Sequence, residues 1–173
     1  MHRDDNELIL IGLGANLPGV DGRSPLATCR AALDVMPTCA ITPTIRSRWY
    51  LSAPVPPSDQ PWFINGVIAA DSVLPATALL EALHGIERRF GRFRTAPGAA
   101  RILDLDLLAH GRAVVDADRA GGLVLPHPRL HRRAFVLRPL AEVAPDWRHP
   151  RTGRSPTDLI GECDPEQVTR PLT

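Results

Sequence analysis

Residues 101–110 read RILDLDLLAH. Side chains of a β-strand point alternately to opposite faces, so Leu103, Leu105 and Leu107 share one face while Asp104 and Asp106 share the other. The leucines belong against a core, and the two carboxylates project outward together. Immediately before this strand, residues 91–100, GRFRTAPGAA, have the glycine, proline and small residues of a flexible loop. Before that loop, residues 75–90 place Leu79, Leu83, Ile86 and Phe90 at helical spacing, the stripe of a helix lying on a core. Residues 63–70 read as another strand, reached through a rigid, proline-rich connection, APVPPSDQP, at residues 53–61. Residues 41–49 carry threonine, isoleucine and aromatic side chains in a strand-like run. Ser24 and Pro25 stand as N-cap and first residue of a further helix, whose core positions are Leu26, Cys29, Leu33 and Met36. The first element is a short apolar strand at residues 8–13, closed by Gly12, Gly14 and the GANLPG turn.

Strand, helix, strand, strand, helix, strand is the order of the split β–α–β, or ferredoxin-like, arrangement. The expected class is therefore α+β: a βαββαβ core whose antiparallel sheet carries both helices on one face, with C-terminal additions. Residues 112–146 are expected to add short strands or helical turns. Residues 148–173, rich in proline and polar side chains, read as a surface tail. A single domain over residues 1–173, with its core at about 8–147, suits a chain of this length.

Twenty basic against 19 acidic residues leave a formal charge of +1. A balance this even, with one tyrosine, argues against a nucleic-acid platform or a membrane-binding patch. No run approaches the ~20 apolar residues of a bilayer span, and MHRDDNELILIG lacks the layout of a signal peptide, so a cytoplasmic protein is expected. Cys29, Cys39 and Cys163 are scattered and odd in number, as reduced structural thiols are. All 20 basic residues are arginine. A Walker-A loop and a Schiff base each need a lysine amine, so any phosphate chemistry here runs on arginine.

Two strand steps hold Asp104 and Asp106 ~6.6 Å apart, where at an effective dielectric of about 20 the repulsion is roughly 2.5 kcal/mol. Such a pair asks for a cation unless water screens it. Mg²⁺ takes one or two carboxylates together with phosphate oxygens and water, whereas a solvent-facing strand edge would need the acids only for solubility. Arg88 and Arg89 sit where a helix dipole favours cations. Arg92, beside the loop glycine, and Arg101, leading into the acidic strand, suit two-pronged binding of phosphate. Asn65 interrupts an apolar strand. Its amide either bonds to neighbouring backbone or reads the edge of a flat heterocycle on which Phe63 or Phe135 stacks. His127 either touches phosphate or caps a turn.

Taken together, IGLGANLPG at residues 11–19, DQPWFIN at 59–65, ERRFGR at 87–92, ARILDLDLL at 100–108 and LPHPRLHRRAFVLRPLAEVAP at 125–145 make the chain resemble the 6-hydroxymethyl-7,8-dihydropterin pyrophosphokinases of folate biosynthesis. The resemblance implies transfer of the terminal diphosphate of ATP onto the pterin hydroxymethyl group, with release of AMP. It further implies that Asp104 and Asp106 bind two Mg²⁺ ions and that Arg92 and Arg101 engage the transferring phosphates. Glu87, Arg119, His127 and Arg133 would line the nucleotide. Asn65 would hydrogen-bond a pterin stacked between Phe63 and Phe135, with Ser52 and Val55 meeting it through backbone groups. ATP and a dihydropterin are then the partners of a monomer. The chain departs from the family at Gly98, Ala99 and Ala100, where Trp-Gly-Pro is usual, and at His84 and Pro128. These departures keep a second function class open: a catalytically weakened paralogue, or a ferredoxin-like module that binds pterin or nucleotide without turnover.

Overall fold

The computed structural model describes residues 8–91, 100–117 and 122–173. Six strands form one sheet: β1 (Ile9–Ala15), β2 (Thr42–Arg46), β3 (Tyr50–Ser52), β4 (Phe63–Asp71), β5 (Asp104–His110) and β6 (Thr169–Pro171). Among the described residues four α-helices accompany them: α1 (Pro25–Val35), α2 (Ala76–Arg89), α3 (Ala134–Val143) and α4 (Pro156–Ile160). The strand order is β5-β1-β4-β3-β6, with β2 also on β4, and every pairing is antiparallel. β4 thus lies between β1 and the strands that follow α1, as a split β–α–β unit requires. The strand expected at residues 41–49 is β2, which ends at Arg46, and β3 follows it as a strand the sequence reading did not foresee. Between them the Ser47 hydroxyl accepts from the Val67 N–H at 3.1 Å, and the chain kinks there before pairing with β4 again.

Both helices foreseen from spacing form. Ser24 caps α1 by accepting from the Ala27 N–H at 3.3 Å, and Pro25 occupies the first turn, where its missing N–H has no partner to lose. Cys29, Ala32 and Met36 of the α1 region and Leu79, Leu83 and Ile86 of α2 are buried. They meet Ile9, Ile11, Leu13, Leu105 and Leu107 on the first face of the sheet. Burial pushes the Cys29 thiol up to about 12, so this sulfur is an inert packing group.

The second face differs from expectation. It is covered by α3, whose Val136, Leu137, Leu140 and Val143 pack against Leu10, Val67, Ala69 and Leu108. The sheet therefore has helices on both faces, and the site lies on the second. Where residues 112–146 were expected to add short strands or helical turns, Ala134–Val143 is a continuous helix even though Pro139 sits inside it. Glu142 fastens α3 to β3 by accepting from the Tyr50 hydroxyl at 2.5 Å and from Arg48 Nε at 2.9 Å. Burial would push the Glu142 carboxyl up, but these hydrogen bonds hold it below the usual carboxylate range. Residues 148–173, expected as a surface tail, supply α4, whose Leu159 is buried beside α3, and the edge strand β6 on β3. No helix of the described residues is long and apolar enough to cross a membrane.

Gly66 is a packing glycine. A Cβ there would stand 2.9 Å from two ring carbons of buried Trp49. Gly66→Ala therefore forces the indole to move and is expected to cost about 1–3 kcal/mol, read as a lower urea midpoint at unchanged slope. An unchanged midpoint would mean that the ring shifts freely.

Candidate active site

The centre of the second face is a row of residues in register on three adjacent strands. Gly14 of β1 opposes Asp104 of β5 on one side and Asn65 of β4 on the other, and Gly12 opposes Asp106 and Val67. Glycines at these two positions leave the space above β1 empty of side chains. Neither glycine closes the strand, as their place in the sequence had suggested; both lie within β1 and form the floor of a cavity of about 320 Å³. Phe63 and Phe135 line that cavity together with Asn65, Val55 and Gln60. This is the apolar slot with a few fixed polar groups that suits a flat ring. Asn65 is buried, and its Nδ2 donates to the Ser52 hydroxyl at 2.7 Å. Ser52 is itself buried, and its hydroxyl thereby sets the direction of the carboxamide. Val55 stands at the half-open mouth, in the proline-rich connection.

A second cavity, of about 370 Å³, lies on the other side of the acids and is lined by Leu80, His84, Glu87, His127 and Pro128 among others. Arg101, Asp104, Asp106, Arg129 and Arg133 border both cavities. The acids are thus the wall between a ring-sized slot and a wider polar cleft. Neither faces open solvent: their side chains are 13% and 33% exposed. The cation that their repulsion calls for is present in the fold. Arg101 ion-pairs with Asp104, while Arg133 Nη1 and His127 Nε2 each stand 3.9 Å from Asp106. Arg133 also lies over the Phe135 ring, 5.4 Å from its centroid, which steadies both side chains.

Glu87 lines the second cavity and is buried, and its carboxylate accepts from the Leu105 N–H at 2.7 Å. β5 is an edge strand, so this N–H has no neighbouring strand to bond, and Glu87 takes it while docking α2 against the acidic strand. Of the two roles open to it in the sequence, His127 fills the turn cap. Its Nδ1 accepts from the Arg129 N–H at 3.2 Å as a turn cap, and its Nε2 faces Asp106. Burial, reinforced by the charges of Arg133 and Arg129 against the opposing pull of Asp106, lowers its pKa below 6.5. In the neutral ring the proton then sits on Nε2. Arg92 and Arg119 lie outside the described residues. Arg129 and Gln60 also line the site; both fall inside stretches that carry the resemblance, but no role was read for either.

His131 and His149 are also lowered from 6.5: His131 by burial and the charge of Arg132, His149 by burial and the charges of His131 and Arg151. With His127, the folded protein holds fewer protons than the unfolded chain once pH drops below 6.5. Stability from this source is complete above that pH and declines as pH falls below it. The urea midpoint should therefore drop between pH 7.5 and 5.5, and His149→Gln should make the decline shallower. A flat or rising midpoint over that interval would contradict the assignment.

Residues 10–145 match the family model described as 7,8-dihydro-6-hydroxymethylpterin-pyrophosphokinase. The chain belongs to this family. A 2-amino-4-hydroxy-6-hydroxymethyldihydropteridine pyrophosphokinase of Pseudomonas aeruginosa is 40% identical over 163 residues, covering 94% of this chain and 95% of its own. One of the same name from Synechocystis is 38% identical, over 90% of this chain and 75% of its own. Among solved structures, the wild-type HPPK-DHPS of Plasmodium falciparum with pteroate superposes with a TM-score of 0.67 over 93% of this chain at 11% identity, a likeness of fold. This chain spans 45% of that one. Family membership at this level does not favour the degenerate binding module over an enzyme.

Proposed function

We propose that this chain transfers the β,γ-diphosphate of ATP to the hydroxymethyl oxygen of 6-hydroxymethyl-7,8-dihydropterin, releasing AMP, in folate biosynthesis. The observation that carries this reading is the meeting of two cavities at one acidic wall, where Asp104, Asp106 and Arg101 border both. The ring stacks between Phe63 and Phe135, with the Asn65 carboxamide on its edge and backbone groups near Ser52 and Val55 closing the slot. ATP occupies the second cavity, along Glu87, His127 and Arg133, and the family resemblance assigns Arg119 to the nucleotide as well. Its phosphates are thereby directed toward the acids and Arg101, and the family resemblance assigns Arg92 to the same phosphates.

The hydroxymethyl oxygen attacks the β-phosphorus in line, and the bridging bond between the α- and β-phosphates breaks. AMP departs with the bridging oxygen, and the hydroxyl proton passes to a phosphate oxygen or to water. Two carboxylates on one strand face are hard oxygen donors. No three His, Cys, Asp or Glu side chains gather into a metal cage among the described residues, so an ion there would share its coordination with phosphate and water, as Mg²⁺ does. Asp104 and Asp106 fit the holding of two Mg²⁺ ions, which when bound supply charge neutralisation on the transferring group. Arg101 is poised beside them: when its pairing with Asp104 is exchanged for phosphate, its planar fork stabilises the charge of the transition state. We place the reaction in the cytoplasm, in a monomer of one 1–173 domain.

A coupled assay tests the reading. ATP, Mg²⁺ and the dihydropterin together should yield AMP, and omission of the pterin should stop it. Pterin-independent AMP, or ADP as the product, would overturn it.

A further inference from the structure

Asn16 stands one residue past the end of β1, at the start of a loop, yet it is only 2% exposed. Its backbone N–H donates to the Arg101 carbonyl at 2.9 Å, and the Leu17 N–H donates to the same oxygen at 3.0 Å. Its side-chain Oδ1 accepts from the Arg101 N–H at 2.7 Å. Both backbone polar groups of Arg101 are therefore held by Asn16 and its neighbour. From the other end of the same carboxamide, Nδ2 donates to the Pro61 carbonyl at 3.0 Å and reaches Gln60 Oε1 at 3.4 Å. Gln60 lines the ring cavity, and Pro61 precedes Phe63 by two residues at the end of the proline-rich connection. One planar group thus joins segments 45 and 85 residues away along the chain, one on the ring side and one on the phosphate side.

Each bond of such a buried network depends on the others, because a carboxamide that loses one partner swings off the next. We infer that Asn16 is a positioning residue that couples occupancy of the ring cavity to the placement of Arg101; this rests on the function proposed above. A ring seated against Gln60 and Phe63 fixes the Pro61 carbonyl. That carbonyl fixes the carboxamide, and the carboxamide fixes the Arg101 backbone from which the guanidinium reaches toward the acids. Nucleotide on the far side of Arg101 reads the same link in reverse, since such coupling is reciprocal.

The test measures dihydropterin affinity by titration with and without Mg²⁺ and α,β-methylene ATP, whose α–β link does not break, alongside kcat. The wild type should bind the ring more tightly when nucleotide is present. Asn16→Asp keeps the acceptor for the Arg101 N–H but sets a carboxylate oxygen against the Pro61 carbonyl. It should bring the ratio of the two affinities close to one and lower kcat by about 10²-fold, while affinity for the analogue alone changes less than about threefold. Asn16→Ala should do the same. A wild-type ratio of one, or a ratio and kcat unchanged in folded Asn16→Asp, overturns the inference. So does failure of both variants to fold, which would assign Asn16 to architecture alone. Because the affinity ratio needs no turnover, it is separate from the AMP assay, whose failure would count against the reaction and not against this link.

Discussion

Asp104→Ala and Asp106→Ala are each expected to lower pterin-dependent AMP release by at least about 10³-fold while leaving the thermal midpoint within a few degrees of wild type. The two halves of this expectation have separate causes. The carboxylates sit on the face of β5 opposite Leu105 and Leu107, so shortening either removes no core packing on that side of the strand. Removing one also relieves a like-charge repulsion of roughly 2.5 kcal/mol, which offsets the ion pairs lost with it. Activity is another matter, because the proposed divalent ions have these two side chains as their protein donors. The effect should be steeper in Asp104→Ala, which also releases Arg101 from its partner, than in Asp106→Ala, whose site retains Arg133 and His127. Steady-state AMP release and circular-dichroism melts read the two halves independently. More than a tenth of wild-type kcat in either variant would mean that the acids do not hold the metal.

Gly14→Val should weaken the ring side alone. A Cβ at this position already lies 3.3 Å from Asn65 Oδ1 and 3.9 Å from the Asp104 Cβ, and valine adds two methyl groups over the cavity floor. β1 itself tolerates the change, because valine suits a strand and the backbone needs no left-handed conformation there. The pterin KM should rise by about 10²-fold or more, with affinity for α,β-methylene ATP within about threefold of wild type. Gly12 offers a milder comparison, since the atoms nearest to its Cβ belong to the Leu108 side chain, at an ordinary 3.5 Å. Wild-type pterin affinity in Gly14→Val would place the ring somewhere other than above β1.

The parts of this protein that could be read from sequence are those with strong periodicity. Leu79, Leu83 and Ile86 marked α2, and the Asp-Leu alternation placed both acids on one face of β5, because a single buried side dictates each pattern. Ser24 and Pro25 marked the start of α1 through local hydrogen bonding that needs no tertiary context. Four features were not legible. α3 was hidden by Pro139, and with it the covered second face that turns a seemingly solvent-facing acid pair into the wall of a cleft. The role of Gly12 and Gly14 depends on which strands flank β1, which only the register reveals. Asn16 drew no reading of its own within the GANLPG turn, since its four bonds go to residues far away along the chain. The Ser52 hydroxyl, which orients Asn65, is a further such feature, since only the pairing of β3 with β4 brings the two side chains together.

If one acidic wall directs the tail of a nucleotide onto a ring held on its other side, the fate of isotope labels must show it. In a single turnover with excess enzyme, Mg²⁺ and dihydropterin, ATP labelled at the γ-phosphate should deliver its label to the pterin product. ATP labelled at the α-phosphate should deliver its label to AMP in equal amount and at the same rate. Label from the γ-position appearing as orthophosphate, or label from the α-position appearing in ADP, would contradict the account.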